Sequence, residues 1–287
     1  MTFNEYALAH EPTIRLAAFF GVFALMAGWE VAAPRRVRLH TRLQRWTANL
    51  GLVVINTVLL RLLFPLAAVG FAAYAAEHGW GLLNNIALPE PLALVLAVVA
   101  MDLAIYLQHV MFHAVPALWR LHQVHHADPD YDLTTGARFH PIEIILSMLI
   151  KVSVIAVIGA PAAAVLLFEL LLNATAMFNH GNVKLPAGVD APLRLLLVTP
   201  DMHRVHHSTD HAEANSNFGF NLPVWDRLFG TYRANTRLPQ ESMPIGVTGL
   251  TGDPRCVSLG GMLVIPFVNA GEGYAIGHGP EASHEAR

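Results

Sequence analysis

Two short stretches rich in histidine are the residues of this sequence best suited to chemistry. Residues 122–126 read HQVHH, and residues 203–207 read HRVHH. On a helix, side chains three and four residues apart lie on the same side, so each stretch presents three imidazoles together. Imidazole is a common ligand of iron, zinc, copper and nickel. We therefore expect two three-pronged ligand sets, made of His122, His125, His126 and of His203, His206, His207.

A third histidine pair precedes them on an apolar segment. His109 and His113 are four residues apart, and Asp102 and Tyr106 continue the same stripe toward the N-terminus at helical spacing. A carboxylate inside such a segment is costly unless a polar partner faces it. We expect Asp102 to accept a hydrogen bond that orients a histidine. The alternative is a hydrogen bond between Asp102 and Tyr106.

The number of histidines favours two metal ions. The three sets supply eight imidazoles, and His180 in the stretch NHGN adds a ninth. A zinc site takes about four ligands, and a mononuclear iron site of the two-histidine, one-carboxylate kind would leave most of these side chains unexplained. A membrane cytochrome would use single axial histidines rather than tandem pairs, and the HExxH pattern of zinc proteases does not occur. Ligand type alone does not name the metal.

The composition is that of a membrane protein. Of the 287 residues, 54% are hydrophobic and 14% are charged, and the mean hydropathy is +0.44. A soluble domain carries about a quarter charged residues. The single cysteine, Cys256, excludes a disulfide framework, a cysteine-ligated zinc site and an iron–sulfur cluster. A net charge of −3 offers no basic surface of the kind that nucleic acid requires, so that class of partner is excluded.

Long apolar segments cover residues 13–33, 47–76, 92–113 and 142–178. A helix needs about 20 residues to cross a bilayer, and each segment is long enough. Arg61 and Pro65 interrupt the second segment, and the fourth is predicted to be a helical hairpin that turns at Gly159 and Pro161. The first segment is followed by arginines and has no basic residues before it, so we expect it to be retained rather than cleaved as a signal peptide.

The placement of arginine predicts the orientation in the membrane. The loop after the first segment carries five arginines, whereas residues 77–91 contain neither lysine nor arginine. Basic residues accumulate in cytoplasmic loops, so we expect the first loop to be cytoplasmic. All histidine sets then lie at the cytoplasmic face of a multi-pass protein of the cell membrane. The five arginines are Arg35, Arg36, Arg38, Arg42 and Arg45.

The order of these motifs resembles the fatty acid hydroxylase superfamily, which includes sterol desaturases and sphingolipid hydroxylases. Besides the three histidine sets, the resemblance rests on RFHPIE at 138–143, NHGN at 179–182 and NSNFGFNLPVWDRLFGTY at 215–232. It implies a membrane enzyme with two iron ions that uses dioxygen to hydroxylate or desaturate a fatty acyl, sterol or sphingolipid-like lipid. The implied iron ligands are His109, His113, His122, His125, His126, His180, His203, His206 and His207.

Further residues receive supporting roles. Some family members have another histidine one turn before His180, where this chain has Ala176. His140 is predicted to lie near the site as a possible ligand, and the alternative is a histidine that caps the next helix. Carboxylates that fix the orientation of ligand histidines are common around metals. The candidates here are Asp102, Asp201 and Glu143, followed by Asp128 and Asp226.

We predict an all-α integral membrane protein with about four to five transmembrane or re-entrant helices and a cytoplasmic histidine-rich helical cap. Residues 1–90 would form N-terminal transmembrane helices and loops, and 91–237 a catalytic domain resembling fatty acid hydroxylases. Residues 238–287 would be a tail of unknown role, with MLVIPFV at 262–268 as a short strand pair or a peripheral lid. The last dozen residues are predicted to be disordered.

The expected partners are the lipid bilayer, a lipid substrate and an external electron donor. The sequence has no cysteine set for a cluster and no glycine-rich dinucleotide fingerprint, so a reductase, ferredoxin or cytochrome would supply the electrons. Hydroxylation and desaturation begin with the same hydrogen abstraction, and the sequence does not distinguish them. The rival hypothesis is a non-catalytic membrane metal-binding protein that keeps the histidine sets.

Overall fold

The computed structural model describes Tyr6 and residues 8–268 and is built from helices. Within these residues there is no β-strand, only two isolated bridges that join Pro34 to Val183 and Ser208 to Ile245. The predicted all-α class is confirmed. The helices are α1 (Glu11–Ala32), α2 (Arg42–Leu63), α3 (Ala67–Glu77), α4 (Glu90–Ala114), α5 (Pro116–His126), α6 (Pro141–Ile158), α7 (Ala162–Asn179), α8 (Ala187–Leu193), α9 (Pro200–His206), α10 (His211–Ala214), α11 (Val224–Leu228) and α12 (Leu259–Val268). Short 3₁₀ turns occur at Leu82–Asn84, Thr135–Ala137 and Pro254–Val257.

Five helical segments of the described chain are long and apolar enough to cross a membrane. They are Glu11–Ala32, Arg42–Glu77, Glu90–Ala114, Pro141–Ile158 and Ala162–Asn179. The predicted number of spans is therefore confirmed. The cytoplasmic orientation of the histidine-bearing ends stays a prediction.

The second span is broken where the sequence predicted an interruption. Helix α2 ends at Leu63, and α3 begins at Ala67, whose φ of 50° lies in the left-handed region. Pro65 lacks an amide hydrogen and cannot continue the hydrogen-bond ladder of α2, so the break falls there. Arg61 lies in the last turn of α2.

The predicted hairpin between α6 and α7 is confirmed. Gly159 ends α6 with φ of 69°, a conformation that favours glycine. A Cβ atom at Gly159 would lie 2.9 Å from Asn84 Nδ2, and one at Gly81 would lie 2.1 Å from the Gly159 nitrogen. The two glycines let the loop after α3 pack against the hairpin turn.

The two largest apolar clusters involve different helices of the bundle. The first joins α3, α4, α6 and α7, and small residues such as Ala72, Ala97 and Ala164 let these helices approach closely. The second lies beside the histidines and joins α2, α5 and α12 around Leu52 and Trp119. Large apolar side chains on the outer faces of the spans are exposed, as expected for surfaces that contact lipid.

The apolar run near the C-terminal end is a helix. MLVIPFV lies in α12, which packs against α2 and α5 through Met262 and Ile265. The predicted strand pair is wrong, because a short apolar run fits a buried helix and a buried strand equally well. The last dozen residues, predicted to be disordered, lie outside the described residues, which end at 268.

Candidate metal centre

Nine histidines converge from four helices onto one buried centre. Helix α4 contributes two, α5 contributes three, His180 is the C-cap of α7, and α9 with its C-cap His207 contributes the rest. All nine are buried, with at most 3% of each residue exposed. They separate into two groups in which the ligand atoms lie within 4.8 Å of one another. The five-histidine group is His109, His113, His122, His126 and His206, and the four-histidine group is His125, His180, His203 and His207.

In the five-histidine group, the Nε2 atoms face each other in close pairs. His109 Nε2 lies 3.1 Å from His122 Nε2 and 3.0 Å from His206 Nε2. His113 Nε2 lies 3.1 Å from His126 Nε2. These nitrogens thus surround a common point.

The four-histidine group has the same arrangement. His180 Nε2 lies 3.1 Å from His125 Nε2 and 3.1 Å from His203 Nε2. The two groups are adjacent, because the rings of His126 and His207 stack with centroids 4.4 Å apart. The arrangement fits two neighbouring metal ions.

Backbone carbonyls fix where the protons lie on three of these rings. His109 Nδ1 donates to Phe218 O at 2.8 Å, His206 Nδ1 to Ser216 O at 2.7 Å, and His180 Nδ1 to Ala176 O at 2.8 Å. A carbonyl oxygen accepts only, so each proton is on Nδ1 and each Nε2 carries a lone pair. The Nε2 lone pairs of His109 and His206 then face each other at 3.0 Å, which a cation between them would stabilise.

The nitrogen spacing matches that of ligands on one metal ion. Two nitrogens bound at about 2.1 Å and at right angles lie about 3.0 Å apart. The pairs here lie 3.0–3.1 Å apart. His207 has both ring nitrogens buried without a hydrogen-bond partner in the described chain, which is costly unless an ion binds there. The donor sets therefore fit metal ions, and imidazole suits iron among others.

Burial keeps these imidazoles neutral. It lowers the pKa of His122 and of His180 to about 3. Burial is also the main reason why the pKa of each other histidine on α5 and α9 lies well below its usual range. Metal binding requires the neutral ring, so the folded chain holds its histidines ready for a metal at neutral pH.

Two side chains complete the hydrogen bonding of the five-histidine group. Glu143 Oε1 accepts from His122 Nδ1 at 2.6 Å, so this predicted orienting carboxylate lies in the expected place. Asn215 Oδ1 accepts from His113 Nδ1 at 3.2 Å and was not predicted. Its position in the segment that follows the last histidine set was the available signal.

The predicted contact between Asp102 and a histidine is not formed. Asp102 accepts from Asn221 Nδ2 and Trp225 Nε1, both at 2.8 Å, and the alternative bond to Tyr106 is absent as well. Tyr106 bonds instead to Thr231. Asp102 therefore anchors the segment 215–232 to α4, because that segment packs over the stripe and supplies closer donors.

Asp226 supports the site through the backbone. Its two oxygens accept from Phe218 N at 2.8 Å and Gly219 N at 2.9 Å. This holds the peptide whose carbonyl accepts from His109. Asp226 therefore orients His109 indirectly, through this peptide, whereas the sequence predicted a carboxylate that contacts a histidine.

Asp201 and His140 also lie away from the imidazoles. Asp201 accepts from Arg35 Nη2 at 3.0 Å and from Arg204, because it projects from the outer side of α9. The predicted bond from Asp201 to a histidine is absent. His140 caps α6 by accepting from Ile142 N at 3.2 Å, and it belongs to neither histidine group. The structure thus has the capping alternative.

A buried ion network holds the loop behind the second histidine set. Arg45 is fully buried and donates to both oxygens of Asp128, at 2.9 and 2.6 Å, and to Asp132. Thr135 Oγ1 donates to the same Asp128 carboxylate at 2.8 Å. From the sequence, Arg45 was considered only as one of the five arginines that predict the orientation in the membrane. The acidic run DPDYD after HQVHH was the signal for its partners.

A cavity of about 450 Å³ reaches the five-histidine group from within the bundle. His109 and His122 form part of its wall, together with Phe112, Phe139 and Phe220. Most of the lining residues come from α1, α2, α4, α6 and α7, so the cavity lies among the candidate membrane spans. The aromatic part of the wall, beside the histidines, suits an apolar part of a ligand.

Comparison with known proteins agrees with this site. Ornithine lipid hydroxylase OlsE of Rhizobium tropici is 33% identical over 161 residues, which are 56% of this chain and 47% of that protein. Human alkylglycerol monooxygenase is 32% identical over 143 residues, which are 48% of this chain and 30% of that protein. The Xenopus tropicalis alkylglycerol monooxygenase is 30% identical over 191 residues, 64% of this chain and 41% of that protein.

The chain thus spans less than half the length of these relatives. No solved structure matches it. The fatty acid hydroxylase family matches residues 94–231, which contain all nine converging histidines and the segment that orients them. This region of the chain is therefore similar to the fatty acid hydroxylase family.

Proposed function

We propose that this protein is a membrane lipid oxygenase that uses dioxygen and external electrons to hydroxylate or desaturate a lipid. The observation that carries the proposal is the pair of buried histidine groups beside a cavity that lies among the spans. The relatives' names, a lipid hydroxylase and a monooxygenase, support hydroxylation as the first reaction to test. We place the protein in the cell membrane with its histidines on the cytoplasmic side.

Two iron ions are the proposed cofactors, one in each histidine group. Bound there, they would supply the redox chemistry that activates dioxygen toward a C–H bond. The chain's own groups prepare that site. The carbonyls of Phe218, Ser216 and Ala176 hold protons on Nδ1, so that the Nε2 lone pairs point inward. Glu143 holds the proton at His122 Nδ1 in the same way.

The cavity positions the substrate. Phe112, Phe139 and Phe220 form an apolar wall next to His109 and His122. A lipid that enters from the bilayer can bring one of its carbons to this wall while water is excluded. The protein's contribution to catalysis is then placement of the C–H bond and fixed orientation of the histidines.

The proposed reaction also needs a source of electrons. Cys256 is the only cysteine of the sequence and is buried, so it cannot provide the ligand set of an iron–sulfur cluster. We propose a reductase, ferredoxin or cytochrome as the donor.

The test is metal analysis of the detergent-purified protein next to a His206→Ala/His207→Ala variant. We expect about two irons per chain in the wild type and fewer than about one in the variant, since each group loses one ligand. The matched control is His10→Ala/His78→Ala, which removes two exposed histidines and should leave the iron content unchanged. Dioxygen-dependent oxidation of added lipid should follow the iron content.

Iron at trace level, or iron that is equal in all three proteins, would overturn the two-iron site. Two irons without any lipid oxidation in the presence of a reductant would favour the rival hypothesis of a non-catalytic metal-binding protein.

A further inference from the structure

The wall of the cavity carries a polar stripe on α6. Glu143, Ser147 and Lys151 follow at intervals of four residues, which places them along one face of the helix. All three line the cavity. Eight residues of helix rise about 12 Å, so the stripe extends from the histidines deep into the membrane-spanning part of the bundle.

The far end of the stripe is a network of charges. Glu169 of α7 accepts from Lys151 Nζ and from Arg15 Nη2, both at 2.6 Å, and Arg15 Nε donates to Glu11 at 2.8 Å. These four residues line the same cavity. Glu169 is buried, with 8% of the residue exposed. Charges inside a membrane span are costly and often mark a substrate path.

A further positive charge faces the same cavity. Arg61 also lines the cavity, and no ion pair involves it in the part of the chain that the structure describes. The network itself is balanced, with Arg15 and Lys151 against Glu11 and Glu169, and Arg61 adds a cation to it. The third carboxylate of the wall, Glu143, accepts from His122 at the histidine end. Arg61 therefore offers a positive charge without an ion-pair partner in the described chain, and an anion that enters the cavity would meet it together with Lys151 and Arg15.

Side chains that can form hydrogen bonds line the wall between the charges and the histidines. Gln108 Nε2 donates to Ser147 Oγ at 2.7 Å, and Asn56, Thr57 and Asn173 line the same space. An alkyl chain pressed against these groups would desolvate them without replacing their hydrogen bonds. A headgroup with several oxygens or nitrogens would satisfy them.

We propose that the cavity binds the anionic headgroup of a lipid, a carboxylate or a phosphate, at Arg15, Arg61 and Lys151. The headgroup lies along the stripe, and the lipid carbon nearest His109 and His122 lies within about 12 Å of the anion. The hydrocarbon tail leaves the cavity toward the bilayer. That this lipid is the substrate rests on the proposed function, whereas the binding itself needs no iron.

Binding is therefore measured in the His206→Ala/His207→Ala background, which separates it from the oxidation chemistry. The probes are dodecyl phosphate, N-dodecanoyl glycine and, as the neutral probe, dodecyl glycerol ether, titrated by calorimetry into the detergent-solubilised protein. We expect the two anionic lipids to bind at least about tenfold more tightly than the neutral one. Inorganic phosphate should not compete at the concentrations that saturate dodecyl phosphate, which distinguishes a lipid site from a site for free phosphate.

The charge substitution is Lys151→Met, matched by Lys184→Met at an exposed position. Lys151→Met should weaken the binding of both anionic lipids about tenfold and leave the binding of the neutral lipid unchanged. Lys184→Met should not change the binding of any of the three. If Lys151→Met does not fold, Arg61→Gln takes its place, because replacing Arg61 breaks no ion pair of the described chain. Ser147→Ala, matched by exposed Ser153→Ala on the same helix, tests the middle of the stripe.

Equal binding of all three lipids, or equal weakening of all three by Lys151→Met, would overturn the headgroup site. If the wild type contains no iron but still binds the anionic lipids more tightly, only the proposed function is overturned. If the wild type contains iron and oxidises lipid but binds the three lipids equally, only this inference is overturned.

Discussion

Replacing Asp128 by alanine measures how strongly the buried ion network holds the loop behind HQVHH. Asp128 is fully buried and accepts from Arg45 Nε at 2.9 Å and Nη2 at 2.6 Å. Burial raises the pKa of the Asp128 carboxyl, but the charges of Arg45 and Arg138 outweigh burial and hold it below its usual range. The folded pKa is lowered, so the pair contributes stability above the unfolded pKa of about 3.9, and this is lost only as the pH falls through the folded value.

The expected loss of stability follows from the partners that Arg45 keeps in the variant. In Asp128→Ala, the Arg45 guanidinium keeps Asp132 as a partner, but it loses both hydrogen bonds to Asp128. Breaking a buried pair from one side costs about 3–5 kcal/mol, and the remaining carboxylate favours the lower end. A chain of this size loses about 2–4 °C per kcal/mol, so the unfolding temperature should fall by on the order of 10 °C.

The assay is thermal unfolding of the detergent-solubilised protein at neutral pH. Arg255→Ala, which removes an exposed pair with Asp253, is the control and should match the wild type. A shift below about 2 °C for Asp128→Ala would refute the reasoning.

Four further outcomes are expected. Glu143→Ala removes the acceptor of His122 Nδ1 and should weaken iron binding about 10–100-fold by competition with a chelator; unchanged affinity would contradict the orienting role. Gly159→Ala should lower the free energy of unfolding by more than about 1 kcal/mol, because φ is 69° and Asn84 Nδ2 lies 2.9 Å from the added Cβ; a neutral effect in thermal unfolding would contradict this. Burial raises the pKa of the Cys256 thiol to about 11, so maleimide should label it slowly at pH 7 until the protein unfolds, as mass spectrometry would show; fast labelling of the native protein would contradict the packing of α12. The metal-free protein should lose stability as the pH falls below about 6.5, because the buried histidines bind protons only when unfolded; equal unfolding temperatures at pH 5.5 and 7.5 would contradict this.

The convergence of the histidines could be predicted from the sequence because helical spacing determines which side chains share a face. His122, His125 and His126 lie on one turn wherever α5 packs, and the same holds for the set on α9. Their role as iron ligands stays a prediction. The turn at Gly159 was predictable for a similar local reason, since glycine followed by proline ends a helix.

The partners of the carboxylates could not be predicted, because they come from distant parts of the chain. Asp102 bonds to Asn221 and Trp225, more than a hundred residues away, and Asp201 bonds to Arg35. The sequence places each carboxylate near a histidine set but does not say which donor lies closest. Glu143 met the expectation because α6 crosses directly beside His122.

The carbonyls of Ser216 and Phe218 have a consequence for biogenesis. By the time a ribosome has passed His207, all nine imidazoles have been synthesised, but the acceptors that fix the rings of His206 and His109 have not. The five-histidine group becomes a finished site only when residues 216–218 dock, and Asp226 then holds that peptide in place. If the proposed iron ions bind there, they bind only after the whole region 94–231 has folded, and not as soon as its histidines have been synthesised.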